Sequence, residues 1–179
     1  MRLSTVLPIA VPLVAALALG ACSKEPAGPK TAEQVKSEVA QMVKPQPGQY
    51  QVTIKTIDFQ IPGIPPEQSA KFKEMFANSG QSKAFCMTQA ESDKGYKDFT
   101  KKLAQGDCTY DRFEANGGTL DAKLTCQTGK GMTAVIEMKG TMATDGSQMK
   151  MKMEQSGGPK GPIKMEMDMV SKRIGDCPV

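Results

Sequence analysis

Methionine is the residue whose abundance and spacing in this chain could do chemistry. The chain has thirteen methionines, and six of them recur at every second position near the C-terminus: Met149, Met151, Met153, Met165, Met167 and Met169. Thioethers are soft ligands that suit Cu(I). Methionine also fills irregular cores and adaptable binding surfaces, and a two-residue period is typical of the buried face of a β-strand. We expect core positions first, then an apolar surface for a hydrophobic ligand or envelope protein partner, with Cu(I) handling as the alternative.

The absence of histidine removes several classes of function. Ser-His-Asp and Cys-His nucleophile chemistry, histidine-ligated zinc and imidazole pH switching all need that side chain. The remaining residues offer no set of nucleophile, base and orienting group, and no Gly-rich loop of the phosphate-binding kind. The net charge is only +4, which is too small to indicate nucleic acid. The sequence therefore predicts a non-enzymatic protein with no cofactor and no nucleic-acid partner.

Two cysteines flank a strong hairpin signal. Asn116-Gly117-Gly118 separates two alternating stretches, which is typical of a β-hairpin. If these three residues form the loop, Ala115 faces Thr119, and counting outward along both strands sets Cys108 opposite Cys126. Opposed residues on neighbouring strands are close enough for a disulfide. A two-residue turn would shift this register by one position and weaken the prediction.

Two further cysteines, Cys86 and Cys177, follow as a second pair by elimination. An even number of cysteines in an exported chain favours disulfides, although four cysteines allow three connectivities. This second bond would tie the C-terminus to the middle of the chain. Reduced, buried thiols or a four-cysteine zinc site are the alternatives, and the chain has no CxxC pair to favour zinc.

The fifth cysteine belongs to an export signal. Met1-Arg2 is followed by an apolar stretch from Leu3 to Leu19, which is typical of a signal peptide. Leu19-Gly20-Ala21-Cys22 resembles the bacterial lipobox, which implies cleavage after residue 21 and acylation of Cys22 by fatty acids such as palmitate. Ser23 after that cysteine implies sorting to the outer membrane. We expect a protein on the periplasmic face of that membrane, attached to it through its lipid anchor.

The sequence divides into three parts after these assignments. Residues 1–21 are the signal peptide, residues 22–46 are the lipidated cysteine, a tether and a short helix, and residues 47–179 are a single domain. Thr31 and Gln34 form a candidate capping box for the helix. Val35, Val39, Met42 and Val43 lie on one face of it. The pattern leaves open whether this helix docks on the domain.

The sequence pattern of the domain predicts strands and short helices in a definite order. A strand from Gln49 to Phe59 precedes two helical segments, the second reaching Gly106, and alternating stretches then cover 107–115, 119–127, 132–144, 147–155 and 163–172. Asp145-Gly146 favours a type I′ turn, which would place Met142 opposite Met149 and Gly140 opposite Met151. We predict an α+β fold: an antiparallel β-meander of about six strands, open or barrel-like, with two or three short helices.

Several short motifs also resemble one bacterial family. They are Pro47-Gly48-Gln49-Tyr50, Ile61-Pro62-Gly63-Ile64-Pro65 and Phe85-Cys86-Met87-Thr88, followed by the three later cysteines. Together they resemble the exported proteins catalogued as domain of unknown function 3617. The resemblance covers roughly residues 47–179, with Tyr50 where the family more often has tryptophan. It implies export, paired cysteines and a compact domain, and it supplies no activity.

Overall fold

The fold is known from a computed structural model, which describes residues 28–78, 82–98, 107–129, 131–158 and 161–178. The predicted signal peptide, Cys22 and most of the tether lie outside these residues, as does the end of the second predicted helical segment. Among the residues described, no helix is long and apolar enough to cross a bilayer.

Three helices and seven strands make up the described part of the chain. In chain order they are α1 (Ala32–Ala40), β1 (Gly48–Gln60), α2 (Pro66–Asn78), β2 (Ser82–Met87), α3 (Gln89–Lys94), β3 (Asp107–Asn116), β4 (Thr119–Gly129), β5 (Met132–Ala143), β6 (Gly146–Ser156) and β7 (Ile163–Gly175). The predicted α+β class, antiparallel pairing and short helices are confirmed, with seven strands instead of about six.

All seven strands form one antiparallel sheet in the order β2-β1-β7-β6-β5-β4-β3. The sheet is open, with β2 and β3 at its edges, so the barrel-like alternative is wrong. Strands β3 to β7 form the predicted meander, but β1 pairs with β7 at the other end of the chain. Strand β2 was not predicted, because this short edge strand is exposed at almost every position and shows no alternation.

Helix α1 is docked on the sheet. Its capping box is present, with Thr31 and Gln34 bonded to each other's backbone. Val35 and Val39 on its inner face are buried. The backbone N–H of Lys30 donates to the carbonyl of Tyr110 at 2.9 Å. The helix therefore covers the β3 side of the sheet, and its entry point is anchored to that edge strand.

The hydrophobic core lies between α1 and the strands β3 to β5. Its buried members are Val35, Val39, Met42, Tyr110, Phe113, Leu120, Ala122, Leu124, Cys126, Met138 and Met142. Met149 and Met151 pack against this cluster from β6, and both are only half-buried. The core is therefore centred on one side of the sheet, and the methionine-rich strands lie at its margin.

The turn between β3 and β4 is shorter than predicted. Gly117 and Gly118 alone form it, and Asn116 pairs with Thr119. The one-residue shift is reversed by an irregularity in the pairing at Asp111. A β-bulge of this kind places one extra residue in one strand.

The turn between β5 and β6 consists of Thr144 and Asp145 instead of Asp145 and Gly146. Gly146 lies in β6 because β7 passes close to it: a Cβ atom there would be 2.4 Å from the carbonyl oxygen of Ser171. The carbonyl of Thr144 accepts from the N–H of Gln46 at 2.7 Å. The register therefore moves by two residues, and every side chain keeps its predicted face.

Two disulfides join the four cysteines of the domain. Cys108 is bonded to Cys126 across β3 and β4, and Cys86 is bonded to Cys177. The first bond closes a short stretch of 18 residues and the second a stretch of 91. The second bond attaches the segment after β7 to the edge strand β2.

Candidate functional site

The six alternating methionines form what we call the methionine ladder. Across β6 and β7, Met149 pairs with Met169, Met151 with Met167, and Met153 with Met165. The alternation of a strand puts all six on one face of the sheet, which is the face that carries the core. All six are half-buried, so they lie between the dry core and solvent.

A cavity of about 210 Å³ lies beside the ladder, beneath the end of α1. Its walls are almost entirely apolar, and they are Val39, Met42, Tyr96, Phe113, Leu120, Met138, Met142, Ser147, Met149, Met151 and Met169. Volume and lining together suit a small apolar molecule or part of a larger one. Six of these residues are methionines, whose unbranched side chains can adapt to the shape of a ligand.

Gly140 creates part of the space for this site. It faces Met149 in the pairing of β5 with β6, and not Met151 as the predicted turn required. A Cβ atom at Gly140 would lie 2.5 Å from Met149 Sδ and 2.1 Å from the carbonyl oxygen of Gln148. The missing side chain of Gly140 therefore leaves room for the thioether of Met149 instead of that of Met151.

Two tyrosines lie near the β5–β6 turn: Tyr96 lines the cavity, and Tyr50 lies outside its lining, against the turn itself. The hydroxyl of Tyr50 lies 2.8 Å from the carbonyl oxygen of Gln46 and 2.9 Å from that of Thr144. Burial raises the pKa of Tyr50, and burial together with the proximity of Tyr50 raises the pKa of Tyr96. Both phenols are therefore neutral at physiological pH, and both are hydrogen-bonding groups.

The opposite face of the same strands carries paired charges. Lys150 contacts Asp168 at 3.0 Å, and Lys152 contacts Glu166 at 3.3 Å. A cleft of about 290 Å³ is lined by charged residues of these strands, among them Lys164 and its partner Glu154, together with Val135, Met153 and Met165. These charges satisfy one another across the strands. We therefore place the candidate site on the methionine face.

The geometry also bears on the Cu(I) alternative. The ladder sets methionines directly opposite one another in three pairs, which brings soft ligands together in a way that the sequence spacing only suggested. The four domain cysteines are engaged in disulfides. Among the residues described, no group of three or more cysteine, aspartate or glutamate side chains is placed to hold a metal ion.

Several residues that line the cavity were not predicted as site residues from the sequence. Tyr96 and Ser147 were not assigned to a site: the sequence pattern placed Tyr96 with Phe99 and Leu103 on an apolar helical face, and a single serine in a strand carries no periodic signal. Met138 and Met142 were placed on a strand, and only its pairing with β6 shows that they adjoin the ladder. The apolar face of α1 was the sequence feature that could have indicated which element covers the cavity.

Comparison with known proteins gives one match. A family model described as a protein of unknown function, DUF3617, matches residues 45–177. Neither a curated protein nor a solved structure matches the chain.

Proposed function

The chain belongs to the family of proteins of unknown function DUF3617, and on that premise we propose that it is a lipid-anchored envelope protein that binds a hydrophobic ligand without catalysis. The observation that carries this proposal is the apolar cavity between α1, Tyr96 and the methionine ladder. An apolar pocket with a few hydroxyl groups is a common form of small-molecule site.

The anchoring part of the proposal is supported by the lipobox-like sequence that ends at Cys22. Lys30, where the chain joins β3, lies eight positions after Cys22. A chain of that length reaches at most about 29 Å, so acylation would hold the domain close to the membrane surface. The site would then work near a store of lipids and other apolar molecules.

Mass spectrometry of the full-length protein tests the anchor. The chain is expressed in a bacterium with two membranes and recovered from the membrane fraction. We expect an N-terminal peptide that begins at an acylated Cys22, and we expect Cys22→Ala to lose both the acyl mass and the membrane association. A mature protein with unmodified Cys22 would refute the anchoring.

Ligand binding is tested with the apolar fluorophore N-phenylnaphthylamine. Met151→Leu preserves an apolar wall, so binding should be retained. Met151→Gln places an amide in the cavity, and desolvating it costs on the order of 1–3 kcal/mol, so affinity should fall at least about fivefold. Met75→Gln is the matched control, because Met75 lies on α2 and is 54% exposed. Equal binding by all four proteins would refute the proposed site.

Cu(I) handling remains the second candidate function, favoured by the directly opposed thioether pairs. Leucine keeps the volume of methionine but cannot ligate a metal. If the ladder binds copper, a native mass spectrum of the wild type exposed to Cu(I) should show an added copper mass. Met151→Leu and Met167→Leu should abolish that added mass. If it binds an apolar ligand, the same variants should behave like the wild type with the fluorophore.

A further inference from the structure

The methionine ladder ends in a pair of serines. Ser147 on β6 lies directly opposite Ser171 on β7, one pair beyond Met149 and Met169. Because strand residues two apart share a face, both serines point to the same side of the sheet as the ladder. Both are half-buried. No described residue hydrogen-bonds to either serine hydroxyl, and both hydroxyls reach solvent, because no fully buried polar side-chain atom of the described residues lacks a partner.

Other polar groups cluster around this serine pair. Tyr96 and Ser147 line the same cavity, and no described residue hydrogen-bonds to the Tyr96 hydroxyl. Arg173 follows Ser171 on the same face of β7 and lies opposite Tyr50. The guanidinium Nε of Arg173 donates to the carbonyl oxygen of Pro47 at 2.8 Å. Hydrogen-bonding groups thus mark the end of the ladder nearest the β5–β6 turn.

Beyond the serine pair, the methionine ladder is apolar. From Ser147 to Met153, strand β6 passes three pairs of methionines, and six residues of a strand span about 20 Å. The cavity beside it, about 210 Å³, is smaller than the roughly 300–1,000 Å³ of sites that enclose a whole drug-sized ligand. A single extended hydrocarbon chain of a ligand can lie along the methionine ladder, with part of that chain in the cavity.

We propose that the ligand is a single-chain amphiphile, with its hydrogen-bonding head group at Ser147 and Ser171 and its acyl chain along the methionine ladder. This inference rests on the proposed function and adds the ligand class and its orientation. A purely apolar ligand would cover the serine hydroxyls and leave them unpaired, which is unfavourable. A head group with a hydroxyl or carboxyl pairs with them while its chain contacts the thioethers.

Orientation is tested by NMR on the whole mature sequence, exported behind a cleavable signal with Cys22→Ala and labelled with ¹³C at the methionine methyl groups. Two stearic acids are added, one with a nitroxide near the carboxyl group and one with a nitroxide near the methyl end. The first should broaden the signals of Met149 and Met169 most. The second should broaden those of Met153 and Met165 most.

The head-group contact is tested by comparing octanol with 1-chlorooctane, which has the same chain but no hydroxyl. Replacing both serines (Ser147→Ala with Ser171→Ala) should weaken octanol binding about tenfold and leave chlorooctane binding within about twofold of the wild type. Ser156→Ala, at the exposed far end of β6, is the matched control and should change neither.

The outcomes separate this inference from the proposed function. If neither nitroxide broadens any methionine signal saturably, the apolar site is absent and both proposals fail. If the probes bind but broaden the signals uniformly or in the reverse order, the ligand is not oriented as proposed and only this inference fails. Unchanged octanol binding by the double serine variant would also overturn the inference alone.

Discussion

Cys108 lies directly opposite Cys126 because two irregularities of the β3–β4 hairpin cancel. The turn has two residues instead of three, which shifts the pairing by one position near the loop. The bulge at Asp111 shifts it back before the strands reach the cysteines. A one-residue slip moves a side chain to the other face of a sheet, so without the bulge the two sulfur atoms would point away from each other.

The two disulfides should contribute unequally to stability. A disulfide stabilises the fold more when it closes a longer loop of the unfolded chain, by about 3 kcal/mol for a separation of 18 residues and about 4.6 kcal/mol for 91. We therefore expect the double variant Cys86→Ser/Cys177→Ser to lose more unfolding free energy in urea than Cys108→Ser/Cys126→Ser. Oxidised wild type should weigh four hydrogens less than the reduced chain. An equal or reversed order in the urea series would contradict the prediction.

Gly140→Ala should be clearly destabilising. The new methyl group would meet Met149 Sδ and, more seriously, the backbone oxygen of Gln148, which cannot rotate away. Overpacking of this kind typically costs about 1–3 kcal/mol, measurable as a lower midpoint of urea unfolding. Gly158→Ala is the control, since its nearest neighbour would be 3.9 Å away. Similar midpoints for the two variants would show that the sheet relaxes around Gly140.

Tyr50→Phe should also destabilise the domain. Tyr50 is only 2% exposed, and its hydroxyl joins the β5–β6 turn to the segment before β1 through the carbonyls of Thr144 and Gln46. Removing it leaves these acceptors with one partner fewer, at a cost of about 1–3 kcal/mol. Tyr110→Phe is the matched control: Tyr110 is equally a core residue, and among the described residues its hydroxyl has no hydrogen-bond partner. Comparable losses in thermal unfolding would count against the hydroxyl's role.

The same tyrosine should make stability sensitive to alkaline pH. Because burial raises the pKa of Tyr50 in the folded protein, the unfolded chain releases the phenolic proton first. The contribution is therefore complete below the unfolded pKa of about 10 and is lost as pH rises through the folded pKa. Urea unfolding at increasing pH should show a steeper decline for the wild type than for Tyr50→Phe. Parallel curves would mean that Tyr50 does not contribute to the decline.

Asp121 should contribute a small, pH-dependent stabilisation. Burial alone would raise its pKa, but hydrogen bonds from Lys139 and Arg112 outweigh burial and lower it. Asp121→Asn should therefore cost up to about 1 kcal/mol at neutral pH, and the difference should vanish as pH falls below the folded pKa. Glu114→Gln is the control, because Glu114 lies opposite Asp121 in the sheet without an ion pair among the described residues. A difference that persists in acid would exclude the ionic origin.

The sequence by itself determined the local features of this protein. Alternation along β6 and β7 placed the methionines on one face, because the two-residue period of a strand belongs to the strand alone. The capping box predicted at Thr31 is likewise present, because it depends on contacts only three residues apart.

Tertiary structure decided how these pieces meet. The bulge at Asp111, the place of Gly146 in a strand and the pairing of β1 with β7 depend on contacts between distant parts of the chain. The cavity depends on them too, since Tyr96, Ser147 and Met169 come from three separate segments. Strand register and helix docking are set by which surfaces exclude water together, and that is a property of the assembled fold.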